Sequence, residues 1–376
     1  MAPDIHVLQL VGDPVGGIRR HVHALLFGLS ARGLRQSYAY STAASDQVFR
    51  KELPLLEAGL GGRLLPLKIS KKPSPGDFAN LAALRRYVRA NGVTIVHGHG
   101  AKGGAYARLL ALLCGVKAVY TPHGGAVHDM FGKAEGLAYT LAEKAFLPLT
   151  DRFVFESAYS ARAYEKKIGR PGRWTVNHNG IEPPPESPPA RPFPARGEAV
   201  NIGVFAMLRG QKGQLYAVRA AAELARARSG VLLHLFGEGP DRAALEAEAA
   251  RLGASGVVRF RGETEAPLER MREMDIVLIP SLFESFGYAA IEAFSLSRPV
   301  VAARTGGLPE IISDGEDGLL AEPGSGEALA AALRRLMDED GLAARLAAKG
   351  RRKAAADFSL ERMLAGIAGV YGEVAA

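Results

Sequence analysis

Apolar residues along this chain fall in short runs that alternate with longer stretches of helical spacing. Ile5–Leu10 is a nearly unbroken apolar run, followed by a glycine-bearing loop, Gly12 to Gly17, and a helical pattern through Leu29. Leu81, Leu84 and Val88 recur on one helical face and predict a helix over Phe78–Ala90, ahead of a strand at Val93–His97. Further strands are predicted at Ala118–Thr121 and Arg152–Phe155, each closed by a glycine- or serine-marked turn. The same rhythm restarts at Val200–Phe205 and runs through Val231–Phe236, Val257–Phe260, Ile276–Ile279 and Pro299–Ala302. A last amphipathic helix is predicted over Ser359–Val374, with Met363, Leu364, Ile367 and Val370 on one side.

Strands and helices in alternation are the pattern of a parallel sheet covered by helices. The restart follows Pro183-Pro184-Pro185-Glu186-Ser187-Pro188-Pro189-Ala190-Arg191-Pro192-Phe193-Pro194, a stretch that cannot donate to a sheet and favours extended backbone. Two doubly wound domains therefore account for the pattern better than one large sheet. The expected organisation is an α/β protein with Rossmann-like domains at 1–182 and 197–358, joined by a linker at 183–196. A helix at 359–376 is expected to pack back toward the first domain.

Composition adds three constraints. The chain has 376 residues, 48% of them apolar and 23% charged, enough for two domains that each bury a core. No run of eighteen apolar residues occurs and the first residues lack the pattern of a signal peptide, so a cytoplasmic protein is expected. The single cysteine, Cys114, permits no intramolecular disulfide, and its apolar neighbours predict a buried thiol.

Charge is uneven. Residues 1–182 hold 24 Lys and Arg against 13 Asp and Glu, whereas 183–376 hold 23 against 26. A basic front half points to an anionic partner: a membrane face, a phosphorylated acceptor or nucleic acid. No recognisable nucleic-acid-binding motif accompanies it.

The segment richest in chemistry runs from Pro280 to Phe294. It leaves an apolar strand at Ile279, bends through Ser281–Gly287 and enters a helix. Amides at such a helix start bind a diphosphate, since several lack intrahelical partners and the positive end of the dipole faces outward. Glu284 lies in the loop and Glu292 in the helix, with seven residues between them, so one carboxylate can meet each end of a nucleotide sugar. A carboxylate accepts two hydroxyl donors, which suits a vicinal diol.

This segment resembles the Glu-x7-Glu signature of glycosyltransferase family 4, which has the GT-B fold. Leu208-Arg209-Gly210-Gln211-Lys212-Gly213 is similar to the family's basic phosphate-binding turn, Phe236-Gly237-Glu238-Gly239-Pro240 to its glycine turn, and Thr305-Gly306-Gly307-Leu308-Pro309-Glu310 to its later helix start. Asn179-Gly180-Ile181 resembles its crossover, and Gly16-Gly17 its first loop. The resemblance implies two domains facing across a cleft, an acceptor domain first and a donor domain second. It implies retention of anomeric configuration and favours a UDP-sugar. Donor contacts are expected from Gly16, Gly17, Arg209, Lys212, Gly237, Glu238, Ser285, Phe286, Gly287 and Glu292.

Arg209 and Lys212 also have a direct physical reading. A departing diphosphate gains negative charge, and fixed cations beside it stabilise that change without a metal. Many family members carry an arginine five residues before the lysine, where this chain has Met207, so Arg209 must serve from a different backbone position. Metal-dependent transferases of the other major fold use an Asp-x-Asp pair, and the one such string here, Asp338-Glu339-Asp340, reads as a solvated acidic cluster. His21 with His23, and His97 with His99, have a spacing seen in some metal sites but no clear third ligand, so no metal or cofactor is expected. His123, in Thr121-Pro122-His123-Gly124-Gly125, follows a strand, and the resemblance places it near the transferred sugar. His99 and Lys102, in Gly98-His99-Gly100-Ala101-Lys102-Gly103-Gly104, resemble a stretch of members that build bacterial surface polysaccharides on lipid-linked acceptors, which makes both acceptor candidates.

The expected activity is transfer of a sugar from a nucleotide diphosphate to an acceptor, with Glu284, His123, Arg209 and Lys212 as catalytic residues and no nucleic acid as partner. The sequence offers no clear nucleophile, so the departing phosphate is expected to help deprotonate the acceptor on the same face. A sugar-nucleotide epimerase of similar fold and, in another class, a basic nucleic-acid-binding protein are the alternatives. A dinucleotide-dependent dehydrogenase fits less well, because Gly12-Asp13-Pro14-Val15-Gly16-Gly17 is not Gly-x-Gly-x-x-Gly.

Overall fold

The computed structural model describes residues 5–43, 47–70, 72–124, 133–182, 193–195 and 197–376. It divides into two compact units, Met1–Asn179 with Leu360–Ala376, and Gly180–Ser359. Most of the predicted linker lies outside the described residues, as do Lys71 and Gly125.

The first unit runs β1 (His6–Val11), α1 (Gly16–Ala31), β2 (Arg35–Ser41), α2 (Gln47–Gly59), β3 (Leu64–Leu67), α3 (Gly76–Asn91), β4 (Ile95–His99), α4 (Gly100–Cys114), β5 (Lys117–Thr121), α5 (Lys133–Phe146), β6 (Arg152–Phe155), α6 (Ala158–Lys167) and β7 (Trp174–Val176). The second runs β8 (Val200–Phe205), α7 (Gln214–Ala227), β9 (Val231–Phe236), α8 (Arg242–Arg251), β10 (Val258–Gly262), α9 (Pro267–Glu273), β11 (Ile276–Ile279), α10 (Tyr288–Ser295), β12 (Val300–Ala303), α11 (Leu308–Ile311), β13 (Leu319–Ala321), α12 (Gly326–Asp338) and α13 (Leu342–Asp357). The last helix, α14 (Leu360–Ala375), belongs to the first unit.

Both sheets are parallel. Their strand orders are β3-β2-β1-β4-β5-β6-β7 and β10-β9-β8-β11-β12-β13. Each order reverses beside its own first strand, between β1 and β4 and between β8 and β11. In open sheets of this kind ligands bind beyond the carboxyl ends of the strands at that reversal, because the connections there part to opposite faces.

Near-continuous apolar strands are buried on both faces, as parallel sheets require. In the first unit Val7, Ile95, Val119 and Val154 pack against Leu25 and Leu29 of α1, and against Met363, Leu364, Ile367, Val370, Tyr371 and Val374 of α14. Leu364 fits only because Gly28 has no side chain: a Cβ there would lie 2.2 Å from Leu364 Cδ1.

Two sequence expectations need adjustment. The strand expected at Val93–His97 is displaced to Ile95–His99, since Val93 follows Gly92 in the left-handed turn that ends α3. Cys114 is partly exposed rather than buried, because it closes α4 beside Leu112 and Leu113, which face outward.

Candidate functional site

In the second unit, four loops meet at the carboxyl ends of β8, β9, β11 and β12. The loop after β8 is tied to the loop after β9, where Leu208 N donates to Glu238 O (3.0 Å) and Asp241 N to Leu208 O (3.2 Å). It is tied to the loop after β11 by Leu282 N donating to Gln211 O (2.8 Å). That third loop is held by the fourth, through Gly307 N to Glu284 O (2.9 Å) and Thr305 Oγ1 to Leu282 O (3.0 Å).

Two glycines make this approach sterically possible. A Cβ on Gly213 would lie 1.9 Å from Pro280 O, and one on Gly306 would lie 1.7 Å from Glu284 O. Both have positive φ, +67° and +61°, a region that glycine enters without penalty. Glycine is therefore required on both sides of the segment that carries Glu284.

The chemistry converges on one pair. Lys212 Nζ donates to Glu284 Oε2 at 2.7 Å, and Ser281 Oγ donates to the same oxygen at 3.3 Å. Both charged side chains remain partly open to solvent. Arg209 folds back on the same loop, with Nη2 2.6 Å from Met207 Sδ. Its guanidinium thus sits beside the side chain at the position where the family resemblance expects an arginine.

Glu292 is inside α10 and only 3% exposed. Gly287 and Ser285 sit at the entry to that helix, whereas the Phe286 ring is in the core, edge-on to Phe358 at 5.9 Å. Any donor contact from Phe286 must come from its backbone. Gly237 and Glu238 lie at the end of β9, and Glu238 pairs with Arg242. Asp338 and Glu339 pair with Arg228 and Arg335, as suits an acidic surface cluster.

The first unit gathers a second set of groups at its own carboxyl edge. Gly16, with φ of +58°, and Gly17 open α1. Lys102 Nζ donates to Asp77 Oδ2 at 2.5 Å, and Tyr106 Oη donates to Oδ1 at 2.5 Å. Burial would raise the Asp77 pKa, but these bonds outweigh it and hold the carboxyl below its ordinary value. Lys102 is therefore a paired cation rather than a solvated one.

His99 and His123 join a buried hydrogen-bonded network. His99 Nδ1 lies 3.0 Å from His123 Nε2, His99 Nε2 donates to Gln9 Oε1 (2.9 Å), and His123 Nδ1 donates to Glu156 Oε2 (3.1 Å). His123 Nδ1 is thus engaged by a carboxylate, and its Nε2 faces His99 Nδ1. Asn179 Nδ2 donates to the same Glu156 oxygen (3.3 Å), and Asn179 Oδ1 accepts from His21 Nδ1 (2.7 Å). Burial, reinforced by the nearby His123, lowers the His21 pKa to about 3, and burial depresses His97 and His99 as well. Glu156 stays below its ordinary value although burial opposes this, because His123 bonds to it.

Sequence spacing gives no role to Gln9 or Glu156, and none to Ser281 or Gln211 beyond their place in the motifs that carry the family resemblance. Glu156 carried one usable signal, its place directly after the predicted strand Arg152–Phe155. The histidines spaced two apart do not act as pairs: His23 donates to Glu52 (2.7 Å), and His97 bonds Tyr371 (2.6 Å) and Thr121 (2.9 Å).

Comparison with known proteins bears on both units. Residues 193–353 match the family described as glycosyl transferases group 1, and residues 16–180 match the glycosyl transferase 4-like domain. The chain is 32% identical to the D-inositol 3-phosphate glycosyltransferase of Acidothermus cellulolyticus over 400 aligned residues, covering 97% of this chain and 87% of that one. Among solved structures, HepE of Anabaena in complex with UDP and glucose matches with a TM-score of 0.80 at 19% identity, covering 98% of this chain and 100% of that one. Sucrose-phosphate synthase of Thermosynechococcus elongatus matches with a TM-score of 0.80 at 19% identity, covering 98% and 99%. The architecture is GT-B, with a Rossmann-like unit on each side of the crossover. From these matches in sequence and fold, the chain belongs to the group 1 family of glycosyltransferases.

Proposed function

We propose that the chain transfers a sugar from a nucleotide diphosphate sugar, with UDP-sugar as donor, to an acceptor hydroxyl with retention of anomeric configuration. The observation that carries this reading is the Lys212–Glu284 pair at the β8/β11 reversal, a cation and a carboxylate 2.7 Å apart where a ligand of this fold binds. The UDP and glucose held by HepE support a nucleotide sugar as the occupant.

In this reading the bond from the anomeric carbon to the diphosphate oxygen breaks, and the leaving diphosphate gains charge beside Lys212 and Arg209. These cations, with the N-terminal dipole of α10, stabilise that charge, so the diphosphate needs no metal. The acceptor oxygen bonds the anomeric carbon on the same face, and its proton passes to the departing phosphate oxygen. Glu284 holds sugar hydroxyls and Glu292 the ribose diol.

Kinetics of two single variants test the assignment. Glu292→Ala is expected to raise KM for the donor, and Glu284→Ala to lower kcat. Each effect is roughly 10- to 100-fold, the size of a lost hydrogen bond to a charged group. Near-normal kinetics in both variants would remove the basis of the reading.

The acceptor in this proposal is a lipid-linked saccharide, reached at an anionic membrane face. On α3, Asn80, Leu84 and Val88 are buried, while Phe78 is 80% exposed and Arg85, Arg86 and Arg89 face outward. At about 100° per residue, Phe78, Arg85 and Arg89 share one stripe. Arg89 Nη2 donates to Leu113 O (3.3 Å), which places exposed Leu112 and Leu113 beside that stripe. Among the described residues no helix is long and apolar enough to cross a membrane, so docking would be peripheral. Each basic side chain contributes about 1 kcal/mol near an anionic surface. Co-sedimentation with anionic vesicles at low salt, lost at high salt and weakened in Arg85→Glu/Arg89→Glu, is the expected result. Equal, negligible binding to neutral and anionic vesicles at low salt would point to a soluble acceptor.

A further inference from the structure

The three rings of His21, His99 and His123 come from α1, from the end of β4 and from the turn after β5. One ring nitrogen from each lies within 4.8 Å of the other two, the one such group among the described residues. Sequence spacing hid this group because it takes one histidine from each spaced pair and a third from elsewhere.

The outer hydrogen bonds determine what the inner nitrogens present. Asn179 spends its amide donor on Glu156, so its oxygen faces His21 and the proton of His21 is on Nδ1. Gln9 spends its donors on Gln36 Oε1 (2.9 Å) and Tyr371 Oη (2.9 Å), so its oxygen accepts the proton on His99 Nε2. The Glu156 carboxylate accepts from His123 Nδ1.

In the neutral tautomers so defined, the nitrogens left with lone pairs are His21 Nε2, His99 Nδ1 and His123 Nε2. His21 Nε2 is buried without a hydrogen-bond partner, on a residue 1% exposed. His99 Nδ1 and His123 Nε2 face each other at 3.0 Å, an arrangement of two lone pairs that only a shared positive charge makes favourable. One extra proton on His123 would satisfy that pair but would leave His21 Nε2 unpaired. A divalent ion satisfies all three.

We propose that His21, His99 and His123 form a binding site for Zn2+, through Nε2, Nδ1 and Nε2 respectively. Zinc takes histidine nitrogens at about 2.0–2.1 Å, which in tetrahedral geometry sets them roughly 3.4 Å apart, so small ring movements complete the site. The outer shell has the form such sites use: each ring gives its second N–H to a fixed oxygen, of Asn179, Gln9 or Glu156, which sets tautomer and orientation. Three histidines leave one position for a water or hydroxyl oxygen. His123 is held at φ of +50°, and this backbone turn directs its ring into the cluster. The site's three ligands all belong to the first unit, whereas Lys212 and Glu284 belong to the second.

The test is metal binding by the full chain, without a histidine tag, after dialysis against chelator. Titration with Co2+ is expected to give the visible absorption of tetrahedral nitrogen-ligated cobalt, saturating at one equivalent and displaced by one equivalent of Zn2+. His21→Ala and His99→Gln should abolish the signal. Asn179→Ala, which removes an outer partner and no ligand, should weaken Zn2+ binding by about 10- to 100-fold. If a variant fails to fold, Zn2+ added to the unmodified chain still reports on the site, because binding to the folded state raises its Tm. The proposal is overturned by an unmodified chain that gives neither the cobalt spectrum nor a rise in Tm, or by folded His21→Ala and His99→Gln proteins that keep the spectrum.

Discussion

Lys212→Ala is expected to lower turnover at saturating donor by roughly 30- to 1,000-fold, the effect of losing about 2–4 kcal/mol of charge stabilisation in the transition state. The substitution removes two interactions at once. On the proposed reading it takes a cation from the place where charge accumulates on the leaving group, and it leaves the Glu284 carboxylate without the ammonium 2.7 Å away. A double-mutant cycle with Glu284→Gln separates them. If the pair acts as a unit, the double variant loses less than the sum of the two single losses. Unchanged turnover in Lys212→Ala would mean that Arg209 or some other group carries the leaving-group charge.

Glu143→Ala is expected to destabilise the first unit by about 3–5 kcal/mol, read as a fall in the urea midpoint. Arg108 is fully buried in α4, and its guanidinium makes a bidentate pair with Glu143 (2.8 and 2.9 Å). Glu143 also accepts from Tyr164 Oη (2.8 Å) and Tyr120 Oη (3.2 Å), and the Tyr120 ring lies 4.2 Å from the guanidinium carbon. Removing the carboxylate strands a buried cation and two hydroxyls together. Arg108→Met/Glu143→Leu should recover much of the loss, since no charge is then left buried. A single variant within about 1 kcal/mol of the parent would show that the guanidinium finds water or another acceptor.

The doubly wound rhythm was legible because central parallel strands are apolar on both faces: Arg152–Phe155, Val200–Phe205, Val231–Phe236 and Ile276–Ile279 coincide with β6, β8, β9 and β11. β2 was not legible, although Gln36 to Ser41 are all buried. Its polar residues are matched by partners distant in sequence, Gln36 with Gln9 (2.9 Å) and Ser37 with His6 (2.7 Å), so burial there leaves no apolar run. β7 and β13 are three residues each, too short for alternation to register.

The candidate site divides in the same way. Glu284, Lys212 and their glycines stand in motifs that are local in sequence. The histidine group is assembled from positions 21, 99 and 123, and only the register of β1, β4 and β5 brings them together.

The placement of α14 sets an order for the chain's maturation on the ribosome. The second unit is complete in sequence once residue 359 has emerged. The first unit still lacks the helix that covers Val7, Ile95, Val119 and Val154, that supplies Tyr371 Oη to His97 and Gln9, and that accepts from Asn177 Nδ2 at Met363 O (3.1 Å). Domains made first ordinarily fold first. Here the half synthesised first keeps an apolar sheet face uncovered until α14 emerges, so its core cannot close before the sequence of the second unit is complete.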